Sequence, residues 1–265
     1  MSSEPRRFAG KVAVVTGGAS GIGAAVVRRL AADGCALVVV ADLDEERAAE
    51  LARTCPAARA HRVDVSVPAD VEDAVDRATA EHGRVDVVVH AAGVDDPESK
   101  AAIARSHEAQ EPVDVLRLVS DQAWRRLMAV NLDGTFNVLR AAARVMVPQG
   151  SGAIVTVSSS AAFDTLTGYG PYAASKAGAQ ALSQAAAKEL AAFGVRVNIV
   201  APGPVDTPMA GRTPAGLRQA MTAPGVRDYA TPEEIADSIC YLASAGASNV
   251  VGAVLLSNGG RFTVS

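Results

Sequence analysis

Histidine and cysteine are scarce in this 265-residue chain, and their spacing excludes most metal chemistry. The four histidines, His61, His82, His90 and His107, form no HExxH pair, and Cys35, Cys55 and Cys240 form no CxxC pair. No metal site is therefore expected, and the thiols read as buried core residues. A long apolar run is also missing: charges and glycines interrupt every Ala-rich segment well short of the roughly 20 residues that a membrane helix needs. Met1–Gly10 carries Arg6 and Arg7 but no apolar stretch of signal-peptide type. These absences point to a cytoplasmic protein without a membrane partner. Positive charge is not in excess, with 25 Lys and Arg against 29 Asp and Glu. A net charge of −4 gives no sustained field for a phosphate backbone, which argues against nucleic acid as a partner. What remains is ample apolar material, 49% of residues, enough for one large domain spanning 1–265.

Short Val/Ile-rich runs alternate with longer helix-like stretches, a pattern that demands a mostly parallel sheet with helices on both faces. Seven strands are predicted at Val12–Thr16, Ala36–Ala41, Ala60–Asp64, Val85–His90, Ala153–Ser158, Val195–Ala201 and Val250–Leu256, all apolar on both faces. Helices are predicted near Gly21–Asp33, Asp44–Arg53, Pro68–His82, Asp121–Val147, Gly170–Phe193 and Thr231–Ser244, where Ala, Leu and Val recur at helical spacing. The fold class is α/β, doubly wound, and a ligand crevice is expected where the strand C-termini gather. Two stretches break the rhythm. Residues 94–120 are charged and irregular, with room for a short helix at Glu98–Gln110 after the Asp95-Asp96-Pro97 turn signal. Residues 202–230 are interspersed with Pro204, Pro208, Pro214, Pro224 and several glycines, a composition that opposes regular structure and suits a lid.

After the first strand comes Thr16-Gly17-Gly18-Ala19-Ser20-Gly21-Ile22-Gly23. Residues this small let backbone approach a pyrophosphate at the N-terminus of the following helix, whose dipole favours negative charge. A Gly-rich turn alone also serves tight packing, but Asp42 strengthens the reading. It ends the second strand at about the 20-residue offset where an acidic side chain meets the adenosine ribose. A carboxylate there accepts from ribose hydroxyls and repels a 2′-phosphate, so NAD is expected over NADP. The competing role for Asp42 is a helix cap.

Tyr172-Ala173-Ala174-Ser175-Lys176 opens a predicted helix, and i,i+4 spacing puts the Tyr and Lys side chains on one face. A phenol that titrates near pH ~10 needs roughly 4 kcal/mol of phenolate stabilisation to act as a base at neutral pH. Lys176 and a positively charged nicotinamide are the expected sources. Ser159, just past a strand end, is placed to donate to a substrate oxygen. Asn131 is placed to order a relay water.

From about Lys11 to Gly260 the chain resembles the short-chain dehydrogenase/reductase family. Thr16 to Gly23 matches its Thr-Gly-xxx-Gly-x-Gly turn, Tyr172 and Lys176 match its Tyr-xxx-Lys, and its serine-to-tyrosine spacing selects Ser159 from the run Ser158-Ser159-Ser160. The segment Val130–Phe136 looks like the one bearing its fourth catalytic residue, here Asn131. The resemblance implies a single-domain Rossmann fold in which Asn131, Ser159, Tyr172 and Lys176 are catalytic. It further implies that NAD meets Gly17, Ser20, Gly21, Ile22, Gly23, Asp42, Asp64, Val65, Ala92, Gly93, Tyr172, Lys176, Pro202, Gly203, Val205 and Thr207. Thr207 would hold the carboxamide, and Lys176 the nicotinamide ribose. One departure stands out. Many members read Asn-Asn-Ala-Gly after the fourth strand, whereas this chain has His90-Ala91-Ala92-Gly93. His90 is expected to be satisfied by backbone rather than to act as an acid or base. The span from Gly93 to Asn131 exceeds the family's usual length, so 94–120 contains an insertion. It is either a solvated excursion, a pocket rim or a subunit contact.

Alcohol oxidation on an apolar small molecule is the expected function. The expected pocket walls are Ala161, Ala162, Phe163 and Leu166 with Met209, Leu217 and Met221, while Arg212, Arg218 and Arg227 of the lid are read as solvated. A 3-oxoacyl-thioester reductase is the nearest rival, disfavoured for a carrier protein because the approaches Gln149–Gly152 and Ala192–Gly194 lack positive charge. A non-catalytic NAD(H) sensor is the rival of another class, and it would be expected to have lost the tyrosine or the lysine. By analogy the chain is expected to form a homotetramer or homodimer through Asp121–Val147 and Gly170–Phe193.

Overall fold

The computed structural model describes residues 6–220 and 229–264. Seven strands form one sheet: β1 (Val12–Thr16), β2 (Leu37–Asp42), β3 (Ala58–Arg62), β4 (Val87–His90), β5 (Gly152–Val157), β6 (Val195–Pro202) and β7 (Val254–Ser257). Their spatial order is β3-β2-β1-β4-β5-β6-β7, and every pairing is parallel. All C-termini therefore lie along one edge, and the order reverses between β1 and β4. That switch point opens a crevice between the loops after those two strands.

Alternation along the strands divides the core into two layers. Ala13 and Val15 of β1 face a layer with Val26, Val27 and Leu30 of α1 (Gly21–Ala32) and Ile235 and Ile239 of a helix at Pro232–Ala243. Val12 and Val14 face the opposite layer, with Val71 and Val75 of α3 (Pro68–His82) and Val138 and Met146 of α6 (Gly134–Gln149). The remaining early elements are α2 (Glu45–Thr54), α4 (Pro97–Ala109) and α5 (Asp121–Met128), and α7 (Gly170–Leu190) follows β5. The segment after β6 holds α8 (Pro208–Gly211) and α9 (Ala215–Ala220), and Pro232–Ala243 is α10.

Several boundaries differ from the sequence reading. β3 starts at Ala58 rather than Ala60, and only Ala58 in it is buried, because an edge strand has one neighbour and one covered side. Asp64 and Val65 consequently lie in the turn that follows it. The other edge, β7, starts at Val254, since Gly252 adopts φ +73° just before it, and it too is only partly covered. The span Asp121–Val147 is not one helix: a π turn at Ala129–Asp133 separates α5 from α6 and carries Asn131. Inserting one residue there rotates Asn131 inward, and the Thr135 hydroxyl donates to its carbonyl at 2.7 Å. Residues 202–220 are more regular than the composition of the stretch suggests. Thr207 caps α8 by accepting from the Ala210 N–H, and Pro208 occupies the first helical position, where no N–H is needed.

At the opposite end of the sheet, the buried Asp86 carboxylate accepts from the Val12 N–H at 3.0 Å, from Lys11 Nζ at 3.0 Å and from the Arg84 guanidinium. Burial pushes this carboxyl up, but those hydrogen bonds outweigh it and hold it below the usual range. A depressed folded value contributes stability above the unfolded one, near pH ~3.9, that is lost as pH falls. Asp86→Ala is expected to cost about 2–3 kcal/mol by stranding the Val12 N–H, and to flatten the acid limb of stability. Chemical melts across pH that show no difference from the parent would refute this.

Candidate active site

The loop after β1 is fixed by close backbone approach. Gly17 adopts φ +64°, and a Cβ there would sit 2.6 Å from the Ala92 N; a Cβ on Gly23 would sit 2.1 Å from the Gly17 carbonyl oxygen. No side chain larger than hydrogen fits either place. Ser20 precedes α1 but makes no capping bond with its side chain, and no acidic residue occupies the first turn. The leading N–H groups of α1 are thus left to whatever enters the crevice. Asp42, at the end of β2, accepts from the Ala19 N–H at 2.9 Å and from the Asp44 N–H at 3.0 Å. It does not cap α2. Asp44 does that, by accepting from the Arg47 N–H at 3.1 Å. Asp64 is held by Ser66, whose N–H and hydroxyl donate to it at 2.9 and 2.6 Å, and the Val65 carbonyl accepts from Asn137 at 2.9 Å.

A cavity of about 630 Å³ runs from Asp42 and Asp64, past Gly17 to Gly23 and Ala92-Gly93, to Ser159, Tyr172 and Lys176. Its size lies within the range of small-molecule sites. Pro202, Gly203, Val205 and Thr207 line it from the β6 side. Thr207 meets the turn after β1, since a Cβ on Gly21 would lie 3.1 Å from its methyl group.

At the centre lies a buried cation. Lys176 is 5% exposed, and its ammonium donates to the Val157 carbonyl at 3.1 Å, in the last residue of β5. Burial pushes it down to about 8, which leaves it mostly charged at neutral pH. Gly93 packs against it so closely that a Cβ would lie 2.9 Å from Nζ. Tyr172 goes the other way: burial pushes its phenol up to about 12, the Ser159 hydroxyl offsets part of that, and Asp95 adds to the rise. Of the two expected sources of phenolate stabilisation, Lys176 is not among the groups that move this phenol, which leaves the positively charged nicotinamide. The protein's own groups leave Tyr172 protonated, and a further positive charge beside it is required.

Ser159 lies two residues past the end of β5 and accepts from the Ala161 N–H at 3.2 Å, which aims its hydroxyl group. Its neighbour Ser158 instead donates to the Lys176 carbonyl at 3.1 Å and secures α7 to the sheet. Asn131 does something the sequence did not reveal. Its amide donates to the Val94 carbonyl and to Ser175 Oγ, both at 2.9 Å, and accepts from the Val94 N–H at 2.8 Å. Both amide protons are spent, so the side chain splints residue 94 to α7 rather than offering a donor to water. His90 pairs with the Thr16 hydroxyl at 2.7 Å, not with backbone as expected. Burial, reinforced by Lys176, pushes it down to about 3. It is neutral at any physiological pH and has no acid–base part.

The substrate end keeps Ala161, Leu166 and Met209 from the expected walls, while Leu217 packs into a separate apolar cluster away from the cavity. Ala162 and Phe163 do not line it, and Met221 and Arg227 lie outside the described residues. Tyr169, Asp95, Lys100, Thr213 and Phe262 line it as well, none of which the sequence reading placed there. Tyr169 lacks the lysine partner that marks Tyr172, and Asp95 and Lys100 belong to an insertion with no motif. Their positions depend on tertiary contacts alone. The lid arginines are not simply solvated: Arg212 pairs with Asp95 at 3.1 Å, and Arg218 pairs with Asp206 at 2.9 Å while stacking over Tyr229.

Sequence and structure comparisons place this arrangement. The pattern of the short chain dehydrogenase family matches residues 11–217, and the chain belongs to that family. It is 43% identical over 260 residues to a cis-4-hydroxycyclohexanecarboxylate dehydrogenase of Sinomonas cyclohexanicum, covering 97% of this chain and 98% of that one. It is 39% identical to a D-threitol dehydrogenase of Mycolicibacterium smegmatis, covering 96% and 94%. A solved short-chain type dehydrogenase/reductase from Mycobacterium ulcerans superposes with a TM-score of 0.84 at 34% identity, covering 96% and 90%. The protein is thus an oxidoreductase whose family uses a nicotinamide cofactor and acts on small molecules. The open N-terminus of α1 and the side-chain-free contacts at Gly17 and Gly23 fit a pyrophosphate. Among the described residues, no helix is long and apolar enough to cross a membrane.

Gly17→Ala is expected to weaken NADH binding by more than about tenfold, because its methyl group would meet the Ala92 backbone at an unfavourable φ. NADH fluorescence titration measures this, and an unchanged Kd would contradict it.

Proposed function

We propose that this chain interconverts a secondary alcohol and a ketone with NAD(H), chiefly in the direction of oxidation. The juxtaposition that carries the reading is a phenol and a buried ammonium one helical turn apart, at the end of a cavity that begins at an open helix N-terminus. When bound, the nicotinamide supplies the hydride acceptor and the positive charge that Tyr172 lacks. Tyr172 Oη takes the proton of the alcohol, and Ser159 Oγ steadies the same oxygen with a hydrogen bond as its charge changes. Lys176 contributes a fixed cation beside both and a donor for the nicotinamide ribose. Ser20 and the first N–H groups of α1 hold the pyrophosphate, Asp42 the adenosine ribose, Asp64 and Val65 the adenine, and Thr207 the carboxamide. Asn131 keeps Val94 and α7 in register around them.

NAD is preferred because the Asp42 carboxylate is pinned by two N–H groups and cannot swing away from a 2′-phosphate. A ring or polyol alcohol suits the substrate end, where Leu166, Met209 and Phe262 offer apolar contact around the polar centre. Relatives named for a hydroxycyclohexane carboxylate and for threitol support that class. The exposed Trp124 on α5 and Phe136 in α6 support association into a dimer or tetramer.

Tyr172→Phe is expected to lower kcat by about 10²–10⁴-fold in an alcohol panel followed by NADH absorbance, with NADH affinity nearly unchanged. A variant as active as the parent would end the proposal. Because the deprotonated phenol is the competent form, alcohol oxidation should climb with pH and ketone reduction should fall with it. Matching slopes in both directions would argue against Tyr172 as the proton carrier. Asp42→Ala is expected to narrow the NAD-over-NADP ratio of kcat/KM by about tenfold or more, and a constant ratio would remove Asp42 from the cofactor site.

A further inference from the structure

The insertion and the lid meet in a polar clamp that the reaction chemistry does not use. Lys100, in the first turn of α4, is 7% exposed and forms an ion pair with Asp95. The same ammonium donates to Thr213 Oγ1 at 2.9 Å and to the Met209 carbonyl at 3.4 Å. The second oxygen of Asp95 accepts from Arg212 at 3.1 Å. Residue 209 in α8 and residues 212 and 213 in the linker toward α9 are thereby fastened to the insertion at three points. An apolar contact adds to them. Leu217 of α9, 4% exposed, packs with Ile103 and Ala104 of α4 and with Val115, in a cluster separate from both faces of the sheet.

The clamp is tied to the catalytic end as well. Asp95 follows Val94, whose N–H and carbonyl are both held by the Asn131 side chain. Met209 and Thr213 line the cavity opposite Tyr172, together with Lys100 and Asp95 themselves. One rigid path thus runs from the π turn through Val94 and Asp95 to the wall of the substrate pocket. A buried ion pair contributes little net stability, since desolvation offsets its attraction, so its value lies in fixing geometry. A solvated excursion would need neither a buried lysine nor a shared apolar cluster.

We propose that the insertion is the docking platform of the substrate lid, with Lys100 and Asp95 as positioning residues that hold Met209–Thr213 over the bound alcohol. The proposal rests on the reading that substrate lies between Tyr172 and Met209. Lys100 touches no reacting atom; it acts through the lid backbone and Thr213. Loss of the clamp should therefore cost substrate affinity before it costs turnover, and should leave the dinucleotide end untouched.

The test compares Arg212→Ala, Thr213→Val, Lys100→Met and Lys100→Arg with the parent. Amide hydrogen exchange over Met209–Leu217 should accelerate by about tenfold in the first three, while exchange in β1 and α1 is unchanged and NADH affinity stays within about twofold. Lys100→Arg should restore most of the protection, because it keeps the charge. With cyclohexanol as the probe alcohol, KM should rise by about fivefold or more with kcat changed far less. If Lys100→Met fails to fold, Arg212→Ala and Thr213→Val carry the test, since each removes one contact without stranding Asp95. Unchanged exchange of the lid amides in these variants would overturn the proposal, as would faster exchange with an unaltered KM. A parent protein inert toward every panel alcohol would count against the oxidoreductase reading alone, because the exchange measurement needs no turnover.

Discussion

An ammonium group shut away from water sets the terms for the strand-end region of this protein. Lys176 is held by one carbonyl of β5, and the surrounding loops are shaped to approach it without side chains, as Gly93 shows most directly. Keeping a charge in such a place costs desolvation energy, visible in its downward displacement to about 8. That cost is sensible only where the charge must act on something nearby. The proposed chemistry gives it Tyr172, one turn away on the same helix, whose phenol burial raises to about 12. Burial moves the two groups in opposite directions, the cation toward losing its proton and the phenol toward keeping its own. Positive charge brought beside the phenol works against that displacement, so the site responds to what enters it.

The pattern of parallel strands and covering helices was plain in the sequence, because Val-rich runs buried on both faces have no other use in a chain of this length. Tyr172, Lys176 and Ser159 were legible for a similar reason: helical spacing and a strand end place them without tertiary information. The errors fall where local pattern is silent. The edge strands β3 and β7 lack the second neighbour that would make them apolar throughout, so their apolar residues mark their limits poorly. The π turn at Asn131 has no composition signature. It exists because Val94, Ser175 and Thr135 satisfy what the irregular backbone and its amide expose, and those partners come from three separate elements. His90 was read as an oddity beside the family's usual asparagine. Its ring bonds to the Thr16 hydroxyl, whose oxygen also meets the Ala92 N–H at 3.4 Å, and burial favours its neutral form. A hydroxyl–imidazole pair here joins the ends of β1 and β4 at the switch point.

The insertion was the least readable part. Its helix is expected at Glu98–Gln110 after a turn at Asp95-Asp96-Pro97; α4 instead starts at Pro97, with Asp96 as its cap accepting from the Ser99 N–H at 3.0 Å. Its purpose could not be read, because Lys100 looks like any helical lysine until the fold sets Asp95 and Thr213 around it. The same applies to Arg212, whose charge reads as solvent-facing in sequence and proves to be one arm of a shared carboxylate. The insertion and the lid are thus joined by contacts that no motif marks, while Tyr172, Lys176 and Ser159 stand in motifs.

The most direct test of the central claim is an ultraviolet titration of the phenolate of Tyr172, taken as the difference between the parent and Tyr172→Phe, with and without saturating NAD. A buried phenol that awaits a positive charge should ionise at distinctly lower pH once the oxidised cofactor is bound, and Lys176→Met should raise that pH again. If the phenolate appears at the same pH in both conditions, or indifferently to Lys176, the coupling between these two groups is not what organises the site.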